Sequence, residues 1–377
     1  MRRLLKKKQF IKGMDVSTLL ELEQLGAVYY DQDGEEWNLL SILQEYGMNA
    51  VRLRLWNNPY SKEGEPYGAG TNDIDKTVEM ARRVRDRNMD WMLNLHYSDF
   101  WADADRQIKP KAWYDFTGKR LEYAVYDYTL AVLRIFREKG VFPDMIQIGS
   151  GVSGGLLWPD GRWPDFETIA LLLNAGICAV RAMELEIPII LHLDNGCNNK
   201  MYREWFDNYF ANDGEDFDII GMSYFPYRHG SLADLQYNLN DLAKRYGKEL
   251  IVTGVAMPYT MEDYAAYEKL EPSKRKGMAI KPWQAHRMDY PPTKEGQAGF
   301  LGDFMQRLAD VPDGCGRGFF YCEPGWLPVP GSGWATEASL KYLKDPGPCG
   351  NEWANQALFD YEGHPLPALD VLREFKA

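Results

Sequence analysis

The residues best able to do chemistry fall at six places, each the downstream end of a short apolar run. They read RLRLWNNPY (52–60), NLHYSDFWADADRQ (94–107), HLDNGCNN (192–199), SYFPYRHG (223–230), MPYT (257–260) and FYCEPGW (320–326). Trp, Tyr, His, Asn, Asp and Arg recur together. Aromatic faces stack on the C–H face of a sugar ring, and Asn, Asp, His and Arg hydrogen-bond its hydroxyls. The shared composition predicts a carbohydrate site. Other chemistries lack their residues. His96 lies near Asp99 and His192 near Asp194, but the chain has five His and no HExxH, so no metal is expected. No phosphate loop occurs, and no cofactor is implied. The five cysteines (Cys178, Cys197, Cys315, Cys322 and Cys349) are odd in number, widely spaced and without a CxxC, which excludes a disulfide framework and a zinc signature.

One stretch departs from this pattern. QIGSGVSGGLLWP (147–159) also reads as a buried strand running into a loop, yet it carries no charge, imidazole or thiol.

Elements must position these groups. Apolar runs at Phe10–Met14, Ala50–Leu55, Trp91–His96, Met145–Gly149, Ile187–Leu193, Ile219–Ser223, Leu250–Thr253 and Gly318–Tyr321 predict eight strands. Amphipathic segments separate them. Leu232, Leu235, Leu239, Leu242 and Tyr246 keep a helical beat, with Ser231 and Asp234 as a capping box and Gly247 as the stop. The segment from Leu121 behaves alike and stops at Gly140. Eight strands alternating with helices predict a (β/α)₈ barrel, a fold that usually fills about 250 residues. The surplus falls in long loops after strands, at 56–75, 97–120, 194–216, 254–298 and 322–360, which a barrel gathers at its C-terminal face. A doubly wound sheet is the alternative, but no GxGxxG follows the first strand. The expected organisation is a basic tail over 1–9 and one barrel domain over 10–377.

Composition is that of a globular chain, with 45% hydrophobic residues among 377. A net charge of −12 disfavours nucleic acid, and no apolar run suggests a membrane span. The start, MRRLLKKKQFIKGMDVS, is basic but has no apolar signal core, so a reducing cytoplasm is the expected compartment.

The runs KGMDVS, VRLRLWNNPY, YGAG, HYSDFWAD, PKAW, AVYDYT, LLWP, LHLDNG, GMSYFPYRHGSLADLQYNLNDLA, YPPTKEGQAGF and GNEWANQALFDYEG resemble glycoside hydrolase family 53, the arabinogalactan endo-β-1,4-galactanases, from about residue 12 to 372. The resemblance implies a (β/α)₈ barrel, β-1,4-galactan or galacto-oligosaccharide as ligand, and retaining hydrolysis by two glutamates. One, at the end of the fourth strand, is the acid/base. The other, at the end of the seventh, is the nucleophile. The chain departs from the family at both. Where the fourth strand usually reads Gly-Asn-Glu and then Asn-Gly, this chain reads Gly149-Ser150-Gly151 and then Gly154-Gly155, so Gly151 holds the acid/base position and Ser150 that of the assisting Asn. Gly254 holds the nucleophile position. Cys322-Glu323-Pro324 replaces Trp-Glu-Pro at the eighth strand, and Asn94 stands where Asp is frequent.

Retaining hydrolysis needs two carboxyl groups about 5–5.5 Å apart, and glycine supplies neither. The expectation is a galactan-binding scaffold whose hydrolysis is absent or strongly impaired. Arg54, Trp56, His96, Asp99, Trp101, Ser150, Asn195, Tyr224, His229, Glu323, Trp326 and Trp334 are expected to surround the sugar. Two alternatives stand beside it: altered chemistry on a related glycoside, with Cys322 and Glu323 as the groups to suspect, and a scaffold kept for interaction alone.

Overall fold

The computed structural model describes residues 9–264, 266–271, 276 and 278–377. Of the expected tail, only Gln9 lies within the described residues. Eight parallel strands close into a barrel: β1 (Ile11–Asp15), β2 (Ala50–Leu55), β3 (Asp90–Leu95), β4 (Met145–Ile148), β5 (Ile189–Leu193), β6 (Ile219–Tyr224), β7 (Glu249–Val255) and β8 (Gly316–Cys322). Each overlaps an apolar run of the sequence. β1 closes the ring by pairing with β8 (Ile11 opposite Gly318, Asp15 opposite Cys322) and with β2.

The main helices between and after the strands are α1 (Leu39–Glu45), α2 (Ile74–Arg85), α3 (Gly118–Glu138), α4 (Phe166–Arg181), α5 (Asn199–Ala211), α6 (Leu232–Tyr246), α7 (Lys294–Ala309) and α8 (Pro367–Glu374). α6 starts and stops where its sequence says. Asp234 N–H donates to Ser231 Oγ at 3.2 Å, Ser231 N–H donates back to Asp234 Oδ2 at 3.1 Å, and Gly247 takes the left-handed turn at φ +62°. Leu235, Leu239 and Leu242 are fully buried against the barrel. The segment 194–216 is not the long loop expected from the sequence. Most of it is α5, whose Tyr202, Trp205, Phe206 and Tyr209 form a buried aromatic stripe. Their spacing is helical, but the polar residues between them resemble loop text.

Strand parity sets what faces the barrel axis. Ile11, Ala50, Met92, Met145, Ile190, Ile219, Ile251 and Phe320 form one buried apolar layer, to which each strand contributes a residue. The Phe320 ring lies so close to Gly13 that a Cβ there would sit 2.3 Å from it. Counting up by twos from this layer gives Asp15, Arg52 and Arg54, Asn94 and His96, Gln147, His192 and Asp194, Ser223, and Cys322. The barrel is therefore apolar at its base and polar towards the C-terminal mouth. A register shift between β6 and β7, where Met222 pairs with Val252 but Ser223 with Gly254, breaks the alternation at Gly254.

Candidate functional site

Above the polar layer lies a cavity of about 450 Å³ at the C-terminal face, within the range of small-ligand sites. Of the residues singled out by sequence, Arg54, His96, Trp101, Ser150, Gly151, Gly254, Glu323, Trp326 and Trp334 line it. Cys322, and His192, which the sequence offered only as a metal ligand, line it too; Asp15, Arg52, Ser223, Phe225 and Trp353 also line it and were not singled out.

Its floor is a buried ion network. Asp15 lies 2.8 Å from Arg52 Nη1 and 3.2 Å from Arg54 Nη1, and accepts a 2.6 Å hydrogen bond from Ser17 Oγ. Glu323 lies 2.6 Å from the same Arg54 nitrogen and accepts from Thr18 Oγ1. Two guanidiniums thus face two carboxyls. Burial works to raise the Asp15 carboxyl, but Arg54 and Arg52 outweigh it and hold it below the usual carboxylate range. Glu323 goes the other way. Burial pushes it up to about 7, with Arg54 opposing and Asp15 adding to the rise.

The two histidines are neutral. Burial, then the positive charge of Arg52 and Arg54, keeps His96 well below its ordinary range, and burial and Arg52 do so for His192. His192 Nδ1 accepts the Gly151 N–H at 2.8 Å, so its proton sits on Nε2, 2.9 Å from Ser223 Oγ. The imidazole donates to this serine and is not oriented to take its proton. His96 Nδ1 likewise accepts from Trp56 Nε1 at 3.2 Å and from Ala102 N–H at 3.3 Å. Burial pushes the Cys322 thiol up to about 12, which keeps it protonated at neutral pH.

The walls are aromatic. The Arg54 guanidinium packs 4.4 Å from the centre of the Trp101 ring, and Trp101 Nε1–H donates to the Trp334 carbonyl at 3.1 Å. Trp334 Nε1–H donates to Pro348 O, Trp326 Nε1–H to Asn351 Oδ1 and Trp353 Nε1–H to Cys322 O. Each indole N–H is used by the fold, so each ring is held at a set angle.

Five residues expected at the sugar do not line the cavity. Trp56 is fully buried, packing on Phe100 and Trp101 and supporting His96 from behind. Asp99 staples loops together by accepting from Asn58 N–H at 3.0 Å and Lys111 N–H at 2.6 Å. Tyr224 follows inward Ser223 on β6, so it points outward. Its ring stacks on Phe300 and Phe304, and its hydroxyl donates to Gly230 O. Asn195 takes a left-handed turn at φ +52° and caps it with its carbonyl. His229 accepts from Phe225 N–H at 3.1 Å and lines a neighbouring groove, its Nε2 3.5 Å from Asp194.

The two glycines differ in their surroundings. Gly151 has φ +59°, and a Cβ on it would lie 3.0 Å from Ala104 N and 3.1 Å from Asp103 Cα, both backbone atoms. A Cβ on Gly254 would meet only side chains, Ser223 Oγ at 3.2 Å and Cys322 Sγ at 3.4 Å, and the backbone there is not left-handed. Among the described residues no three His, Cys, Asp or Glu side chains converge to hold a metal ion.

Fold and cleft together place the protein among the (β/α)₈ barrels of the glycoside-hydrolase type. The chain belongs to glycosyl hydrolase family 53, whose profile matches residues 11–372. It is 33% identical to the endo-β-1,4-galactanase of Bacillus subtilis (strain 168), across 97% of this chain and 86% of that one. It is 37% identical to an uncharacterized protein in the bgaB 5' region of Niallia circulans, across 98% of this chain and 95% of that one. Among solved structures, the family 53 catalytic domain of Ignisphaera aggregans superposes with a TM-score of 0.88 at 35% identity, covering 97% of this chain and 96% of that one. A fungal β-1,4-galactanase superposes at 0.77 and 26% identity, covering 96% and 98%.

Proposed function

We propose that this chain binds β-1,4-galactan in the cleft at the C-terminal face and leaves it uncut. The binding half rests on the fixed Trp101, Trp326 and Trp334 rings around a polar floor, in a family whose relatives are named galactanases. The observation that carries the second half is that neither position the family resemblance assigns to a catalytic glutamate holds a carboxyl, although Asp103, Asp194 and Glu352 line the cavity elsewhere. Gly151 and Gly254, which the family resemblance places at the acid/base and nucleophile positions, both face the cavity without a side chain. On the Gly254 side stand Ser223, whose Oγ accepts the hydrogen bond from His192 Nε2–H, and Cys322, which is protonated. Asp15 and Glu323 are each tied to Arg54.

A second reading draws on Asp103, whose backbone adjoins Gly151 and which shares the cavity with Asp194. An acid there could protonate a leaving oxygen, a role that supplies about 10²–10⁴-fold on its own. Hydrolysis would still need a base or nucleophile on the opposite face of the sugar, and the Gly254 side supplies none. Titration with galacto-oligosaccharides together with product analysis separates the readings. Heat of binding with no shortened product supports the first. Steady release of shorter sugars, abolished by Asp103→Asn, supports the second.

A further inference from the structure

The cavity wall around Gly254 is built from hydrogen-bond donors. His192 Nδ1 accepts the Gly151 N–H at 2.8 Å, so its Nε2–H donates to Ser223 Oγ at 2.9 Å. A hydroxyl that accepts from the imidazole keeps its own proton to give elsewhere. Among the described residues Ser223 gives it to no group. Cys322, protonated at neutral pH, is a second and weaker donor. The two flank the point where a side chain at 254 would begin: a Cβ there would lie 3.2 Å from Ser223 Oγ and 3.4 Å from Cys322 Sγ. Gly254, Ser223 and Cys322 all line the central cavity.

A positive charge adjoins them. Arg52 lines the same cavity, with its side chain only 7% exposed. Its Nη1 donates to Asp15 at 2.8 Å, and among the described residues no other nitrogen of this guanidinium has an acceptor. Arg54, by contrast, is spent on Asp15, Glu323 and Ala69 O. After burial, Arg52 is the charge that bears on His192, and the largest of those that bear on Cys322, where Asp15 and Glu323 oppose it and Arg54 adds to it. Asp103, Asp194 and Glu352 line the cavity without pairing with Ser223, Cys322 or Arg52.

Protons of one sense thus converge on space that glycine leaves without an acceptor. A hydroxyl, a thiol and a guanidinium with unused N–H groups call for a ligand made of acceptors and carrying negative charge. A carboxylate has two oxygens, about four lone-pair sites and no proton of its own, and its bonds to a guanidinium are charge-assisted.

We propose that the space beside Gly254, between Ser223, Cys322 and the guanidinium of Arg52, is a carboxylate-binding site. The carboxylate has two possible carriers, a free small anion and the acid group of a uronic acid. The site does not require the galactan reading, because its donors are in place without a sugar.

Line broadening of the formate proton signal, titrated at constant ionic strength with the full chain and with Ser223→Ala and Gly254→Glu, tests this. The parent should bind formate saturably, with a Kd on the order of millimolar. Ser223→Ala should weaken it at least about tenfold, since it removes a donor to a charged acceptor. Gly254→Glu should abolish it, because a tethered carboxylate then occupies the donors. Each variant is first matched to the parent by circular dichroism, and either one alone decides. Parallel titrations with galacturonate and galactose separate the carriers. Galacturonate bound more tightly than both formate and galactose, and lost in Gly254→Glu, identifies a sugar-borne acid; galacturonate bound no more tightly than formate identifies a free anion. No saturable formate or galacturonate binding by the parent, or binding untouched in a folded variant, overturns the site and leaves the galactan reading as it stands.

Discussion

Replacing each of the two glycines by alanine should have unequal consequences, costly at Gly151 and nearly neutral at Gly254. At Gly151 the added methyl group meets a left-handed backbone, φ +59°, and two backbone neighbours at 3.0 and 3.1 Å. The left-handed conformation costs a residue with a Cβ roughly 1–2 kcal/mol. Crowding against atoms that move only with the Asp103–Ala104 loop adds about 1–3 kcal/mol. The sum is about 2–5 kcal/mol. At Gly254 the methyl group meets only Ser223 Oγ and Cys322 Sγ, and both can turn away. Removing a glycine from the unfolded chain returns about 0.4–1 kcal/mol, so Gly254→Ala should fall within about 1 kcal/mol of the parent. At about 2.1 cal/mol/K per residue, the unfolding entropy of this chain is about 0.8 kcal/mol/K. Gly151→Ala should then lower the melting temperature by about 3–6 °C, and Gly254→Ala should move it by about 1 °C or less. Differential scanning calorimetry at one scan rate reads both. A Gly151→Ala protein that melts with the parent, or a Gly254→Ala protein that melts as low as Gly151→Ala, would refute the reasoning. The same asymmetry bears on chemistry. The β4 end is shaped around glycine, so a glutamate at 151 has to move the facing loop, whereas one at 254 enters space bounded by side chains.

Gly254→Glu alone should therefore form a covalent glycosyl-enzyme with an aryl β-galactoside whose leaving group departs without protonation, read as a one-hexose gain in intact mass; no adduct on a folded variant counts against the placement of the nucleophile position. Trp101→Ala should weaken galacto-oligosaccharide binding by about tenfold or more, since the ring is a fixed cavity wall, while Tyr224→Phe should leave affinity unchanged and cost about 1 kcal/mol of stability for the lost bond to Gly230 O. Glu323, raised from 4.5 to about 7, keeps a proton in the folded protein that the unfolded chain releases, so its contribution to stability falls as pH rises across that window, by up to about 1.4 kcal/mol per pH unit. His96 and His192, depressed by burial, act in the opposite sense by costing stability as pH falls below their ordinary range, so the comparison of Glu323→Gln with the parent isolates the carboxyl. The variant's melting temperature relative to the parent should rise between about pH 5 and about pH 8; a flat difference contradicts the assignment.

The barrel was legible because its signals are local. Each strand is a short apolar run, and α6 carries its capping box and Gly247 stop in plain text. α5 was missed because its aromatics, at helical spacing, sit among Asn, Lys, Glu and Asp that read as loop. At the site, aromatic and polar composition pointed to the right face but not to the right side chains. Tyr224 and Ser223 are neighbours on one strand and only parity separates them: Ile219 faces inward, so Ser223 does and Tyr224 does not. The same count from Ile11 finds Asp15, from Ala50 finds Arg52, and from Ile190 finds His192. Parity fails at Gly254, where a register shift set by pairing with β6 turns the chain, and at Trp56 and Asp99, which lie past strand ends where loop packing decides direction. Such information is held between distant segments and has no local sequence mark.

The central claim is that the cleft holds galactan and does not cut it. The most direct measurement follows β-1,4-galactohexaose by NMR over a day with stoichiometric protein, reading binding from line broadening of the sugar signals and cleavage from new reducing-end signals. The account predicts broadened hexaose resonances and no new reducing ends. Sharp, unperturbed resonances, or reducing ends appearing at the turnover of an ordinary glycosidase (on the order of 1–10³ s⁻¹), would contradict it.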